Sequence, residues 1–104
     1  MDHLPAFRIR DKILPGLAKL GEECGELNQV FGKLVMTGGR REHWEGSDLY
    51  HRLEEEMGDV FAALDFLLEH SGELNLRRVY ARRASKRALF EKWRQENQKY
   101  PGEE

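Results

Sequence analysis

The sequence holds a single cysteine, Cys24, so no internal disulfide can form, and a reducing, cytoplasmic setting is the expectation. Its three prolines, Pro5, Pro15 and Pro101, all stand towards the ends of the chain. No apolar run is long enough to span a bilayer and the opening MDHLPAFRIR lacks the pattern of a signal peptide, so no membrane partner is expected. Strand-like alternation and low-complexity tracts are missing as well. Charge of one sign is not in large excess either. The formal net charge of -2 excludes no partner by itself, but residues 45–70 are strongly acidic while 77–99 carry most of the arginines and lysines.

What is there reads as helix. With 104 residues, 39% of them apolar and 35% charged, the chain fits one helix-rich domain with much charged surface. Residues 1–12 read as an arm or a short separate helix. A first long helix begins near Pro15, which a first helical turn tolerates, and stops at Thr37-Gly38-Gly39. The segment GGRREHWEG, residues 38–46, is a loop by composition. Ser47 or Asp48 then caps a second helix running to about His70, and a third covers roughly Leu74 to Gln98, leaving 99–104 as a tail. The class is therefore all-α. Leu17, Leu20, Cys24, Leu27, Phe31 and Leu34 step by three and four in the first helix, as do Leu53, Met57, Val60, Leu64 and Leu67 in the second. Leu76, Val79, Arg83, Lys86, Phe90 and Trp93 keep the step in the third, with two cations on the seam. Such seams pack as a helical bundle. Three helices leave that bundle incomplete, to be finished by oligomerisation or by the N-terminal arm.

One pattern occurs twice. KLGEECGEL at 19–27 returns as RLEEEMGDV at 52–60, thirty-three residues on. At about 100° per residue, Glu23 points about 60° from Leu20, Glu26 lies about 60° beyond it, and Glu22 points nearly away. Counting from Leu53 places Glu56, Asp59 and Glu55 in the same three relations. If the two helices pack antiparallel, Glu23, Glu26, Glu56 and Asp59 can converge. Four carboxylates in a partly dry site require a cation. Oxygen-only ligation suits Mg²⁺, or Mn²⁺, rather than zinc. A di-iron bundle would need Glu-x-x-His on two helices, and none of the four histidines follows a glutamate at that spacing. For a single ExxE, a solvated acidic face is the ordinary explanation; the duplication at matched angles favours a site. Gly25 and Gly58 each cost about 1 kcal/mol against alanine within a helix, which close helix approach would offset. Cys24 falls on the apolar seam and reads as packing.

The third helix supplies cations. Arg83 and Lys86 on the seam either pair with the carboxylates or reach phosphates held at the metal site, a combination that polyphosphate chemistry requires. Lys33, Arg40 and Arg41 are weaker candidates. A nucleic-acid partner is disfavoured, because the chain is acidic overall and its carboxylates would repel a phosphate backbone.

With EExxE at Glu22, Glu23 and Glu26, and ExxD from Glu56 to Asp59 opening GDVFAALDFLL, the chain resembles the MazG-like all-α nucleoside triphosphate pyrophosphohydrolases over roughly residues 13–93. The resemblance implies Mg²⁺-dependent cleavage of a (deoxy)nucleoside triphosphate between its α and β phosphates, in a homodimer or homotetramer. It also implies Glu23, Glu26, Glu56 and Asp59 as metal ligands, with Glu22 in the outer shell or positioning the water. A nearby carboxylate, Glu22 or Glu23, would take the proton. Many relatives carry Asn-x-x-Lys in the helix after ExxD; here the place reads Arg83-Ala-Ser-Lys86, so Lys86 agrees with a phosphate role and Arg83 departs. His43 and Trp44 in the loop are candidates for base contacts, with a dimer contact the alternative for Trp44. The phosphoribosyl-ATP pyrophosphohydrolases share the first motif and stand second, because Phe61 to Leu68 lacks the histidine usual there. A non-catalytic helical interaction module is the remaining alternative.

Overall fold

The computed structural model describes residues 14–43 and 45–99. Three helices make up the described chain: α1 (Leu17–Met36), α2 (Leu49–His70) and α3 (Leu76–Lys99). The protein is all-α, as the periodicity predicts, and among the described residues extended pairing is limited to an isolated bridge between Glu42 and Asp48. Two compact units divide after Glu73, one holding α1 and α2 and the other α3. No helix among the described residues is long and apolar enough to cross a membrane. The expected N-terminal arm, residues 1–12, lies outside the described residues, as do positions 100–104 of the expected tail.

Local chemistry sets the helix ends. Pro15 sits in the turn ahead of α1, where the Leu17 amide bonds the Leu14 carbonyl, and Gly16 opens the helix with a left-handed φ of 92°. At the other end the Gly39 amide donates to the Leu34 carbonyl and the Gly38 amide to that of Val35, the crossed pair of a Schellman stop. Both glycines have positive φ there. Asp48, rather than Ser47, caps α2 through bonds from the Tyr50 and His51 amides. Asn75 caps α3 through its bond from the Arg78 amide, so the helix begins at Leu76, two residues beyond the expected start at Leu74.

α1 and α2 run antiparallel, because their contacts meet in reverse order. Gly16 lies against Phe66 and Leu67, and the Gly39 carbonyl accepts from the Tyr50 hydroxyl at 2.7 Å. The connection between them is tied down by Leu49 N to Arg41 O at 2.7 Å and by His43 N to Ser47 O at 3.0 Å. Arg41 bonds the cap Asp48 at 3.1 Å and lies over the Tyr50 ring.

The packed face differs from the expected seams. Cys24, Phe31, Met57 and Leu64 are exposed. Half-buried or buried instead are Leu20, Glu23, Leu27, Val30 and Leu34 on α1, and Leu53, Glu56, Val60, Ala63 and Leu67 on α2. In each helix the stripe keeps the expected leucine positions but takes the residue before each of the two exposed ones. Val30 and Leu49 are fully buried, each contributing about 1.5–3 kcal/mol. Gly25 and Gly58 do not mark a close approach between these helices: a Cβ added at either would meet nothing within 4 Å.

Candidate metal centre

The shifted stripe puts two of the motif glutamates on the contact face itself rather than on its border. Glu23 and Glu56 occupy equivalent places among the packed residues of α1 and α2, and both are half-buried. One helical turn further, Glu26 and Asp59 stand on the exposed flank. Each of the four residues offers a carboxylate oxygen, and these oxygens all lie within 4.8 Å of one another. The convergence anticipated from the repeated motif is therefore present.

The electrostatics of this arrangement are unfavourable as they stand. Burial is the largest influence holding the Glu23 carboxyl above its ordinary pKa, followed by the charges of Glu26 and Asp59. Burial likewise raises Glu56, again followed by Glu26 and Asp59. One buried oxygen of each, Oε1, accepts no hydrogen bond. Among the described residues the one ion pair to the cluster is weak: Lys19 Nζ stands 3.9 Å from Glu23 Oε2. Two orphaned buried oxygens and two further carboxylates, with neither histidine nor cysteine in the cluster, suit a hard divalent cation such as Mg²⁺ or Mn²⁺.

The other sequence candidates make contacts of their own. Glu22 faces outward and bonds Lys19 Nζ at 2.6 Å. Lys33 is 3.9 Å from Glu45. Arg41 is engaged by Asp48 and Tyr50, as described. His43 is buried, its Nδ1 accepting from the Glu45 amide at 3.5 Å, and it helps line an open cleft with Met36, Thr37, Arg40, Glu42 and Gly46. Trp44 lies outside the described residues. Within α3, the Arg83 guanidinium stands 5.4 Å from the Tyr80 ring centre and the Lys86 ammonium 5.7 Å from that of Phe90.

Two residues that sequence reasoning passed over stand beside the cluster. Lys19 and Phe66 line an open groove that ends at Glu23 and Asp59. A signal for them was available, since Lys19 precedes Glu23 by four residues and Phe66 follows Asp59 by seven, spacings that return to the same helix face. No family model, curated protein or solved structure matches the chain.

Proposed function

We propose that the chain is a Mg²⁺-dependent pyrophosphohydrolase of (deoxy)nucleoside triphosphates, yielding the monophosphate and pyrophosphate. The observation that carries this reading is the convergence of Glu23, Glu26, Glu56 and Asp59 within 4.8 Å, with two buried oxygens lacking a hydrogen-bond partner among the described residues. The motif resemblance adds the reaction class, and the donor chemistry adds the choice of metal.

The four carboxylates would hold the cation, which when bound supplies Lewis acidity, a lowered pKa for water and neutralisation of triphosphate charge. The chain's own part is placement. Two antiparallel helices fix the carboxylates on one shared face, so little is left to order when substrate arrives. Water is the nucleophile and pyrophosphate the leaving group, and no covalent intermediate is required. Glu22 or Glu23 would accept the water's proton; Glu22 faces outward and would have to leave its bond to Lys19 to do so. Lys33, at the far end of α1, is the phosphate candidate within this helical pair. The exposed apolar side chains of α1 and α2 support association of two or more copies.

The test is pyrophosphate release from a panel of dNTPs and NTPs with Mg²⁺, with EDTA and Glu56→Gln as controls. Release at enzyme-like rates that both controls abolish is the expected result. No release from any nucleotide would overturn the proposal and favour a non-catalytic helical module.

A further inference from the structure

Beside the carboxylates, α1 and α2 leave an open groove of about 510 Å³. Helical geometry accounts for its lining. Seven residues bring a helix within about 20° of two full turns, so Asp59 and Phe66 share one face of α2, with Ala62 and Ala63 between them. Gly16, Lys19 and Glu23 supply the α1 side. Glu23 and Asp59 thus stand at one end, and Phe66 lies about 10 Å further along α2. Between those ends the described lining is Ala62 and Ala63 on the α2 wall and Lys19 on the α1 wall.

Phe66 is held from behind and open in front. A Cβ at Gly16 would come 2.7 Å from Phe66 Cδ2, so the ring lies directly on the backbone there. Its neighbour one turn on is His70, with ring centres 4.4 Å apart. Yet Phe66 remains 48% exposed. A fixed aromatic surface therefore faces the groove, with an ammonium group on the rim and carboxylates at the far end.

We propose that this groove is the nucleoside subsite of the pyrophosphohydrolase centre, with the base stacked on Phe66, the sugar over Ala62 and Ala63, and the polyphosphate directed to the carboxylates. The inference rests on the metal-centre reading given above. The distance along α2 is of the order that separates base from polyphosphate in a nucleotide. Lys19 turns from Glu22 to a phosphate oxygen when the polyphosphate arrives. Stacking on a ring is tolerant of base identity, because every base has a π-face. Among the described residues the lining offers no side chain to read a base edge apart from Lys19 and the two carboxylates, so this subsite accepts purines and pyrimidines alike.

The experiment is calorimetric binding to the full chain with Mg²⁺, using two probes: inorganic tripolyphosphate and a non-hydrolysable α,β-methylene nucleoside triphosphate. The wild type is expected to bind the nucleotide at least about tenfold more tightly than tripolyphosphate. Phe66→Leu, which keeps bulk against Gly16 but removes the ring, should bring the two within about threefold and leave tripolyphosphate binding unchanged. Phe66→Ala should do the same if its melting curve shows it folded, and Lys19→Met should weaken both probes alike. Failure of tripolyphosphate to bind with Mg²⁺ overturns the metal-centre reading and the subsite with it. Tripolyphosphate binding with an undiminished nucleotide advantage in Phe66→Leu, or with no advantage in the wild type, overturns the subsite alone.

Discussion

Glu23 and Glu56 each bury an oxygen that accepts no hydrogen bond, and each carboxyl is pushed above the ordinary 4.5 by burial and by Glu26 and Asp59. Glu55 adds to the rise at Glu56, whereas Arg52 opposes it there and Lys19 opposes it at Glu23. A group whose folded-state pKa is raised binds more protons folded than unfolded between the two values. Its stabilising effect is full below 4.5 and is lost as the pH rises through the folded value. Asp48 and Glu91 run the other way, being lowered by their bonds to the His51 amide and Arg94 respectively, but their windows lie below 3.8 and 4.5. The metal-free protein should therefore melt at a higher temperature at pH 5 than at pH 7. Glu56→Gln should flatten that slope and raise the pH 7 melting temperature. Saturating Mg²⁺ should reverse the loss in the wild type, by about 2.7 kcal/mol at roughly a hundred times its Kd, and do little for Glu56→Gln. Melting curves at both pH values, with EDTA or Mg²⁺, check all three outcomes; a wild type indifferent to Mg²⁺ would remove the metal centre.

At the scale of the helix, glycine means different things at different places. Gly58 has ordinary helical backbone and open space where a Cβ would stand, so Gly58→Ala should stabilise the fold by about 0.5–1 kcal/mol in urea denaturation. Gly16 combines φ 92° with the Phe66 ring at its back, so Gly16→Ala should destabilise by more than about 1 kcal/mol. Leu49→Ala, at a position fully buried where α2 begins, should cost about 2–5 kcal/mol. The helices themselves, and the stop at Gly38-Gly39, were legible from periodicity and turn chemistry. The packed face was legible only to within one residue. The apolar count favoured Cys24 over Glu23, and Met57 and Leu64 over Glu56 and Ala63, because a carboxylate or a small alanine scores poorly as core; between the two apolar residues Val30 and Phe31 it had nothing to choose by. The echo of one motif in the other carried the correct information. It aligned Glu23 with Glu56 and Val30 with Ala63, whichever face the apolar count preferred. Phe66 stayed unread because it lies outside the repeated motif, and Lys19, which opens the first copy, because it is no carboxylate; only the juxtaposition of two helices gives them a common groove.

For the whole molecule, the four misassigned seam residues and two apolar neighbours, Val35 and Phe61, are informative. Cys24, Phe31 and Val35 on α1, and Met57, Phe61 and Leu64 on α2, are exposed at helical spacing, with Phe31 at 61% and Phe61 at 63%. The thirty-three-residue echo aligns Cys24 with Met57 and Phe31 with Leu64, so the two stripes occupy equivalent sides of their helices. Apolar stripes of this kind on an otherwise highly charged chain are what association covers. A second copy satisfies it at no cost in new sequence, since the same stripes recur on the partner. Sedimentation equilibrium should accordingly find a dimer or a higher multiple. Phe61→Glu, which places a charge in that surface at a side chain 63% exposed in the single chain, should shift the protein to monomer and leave its helical content unchanged. Cys24 gives an independent readout. Its thiol should react slowly with a bulky maleimide in the wild type and at least about tenfold faster in Phe61→Glu, because burial in an interface limits access to the thiolate. A wild type that sediments as monomer and labels at the free-thiol rate would leave the apolar stripes without this occupant, and would place the four-carboxylate centre in a single copy of the chain.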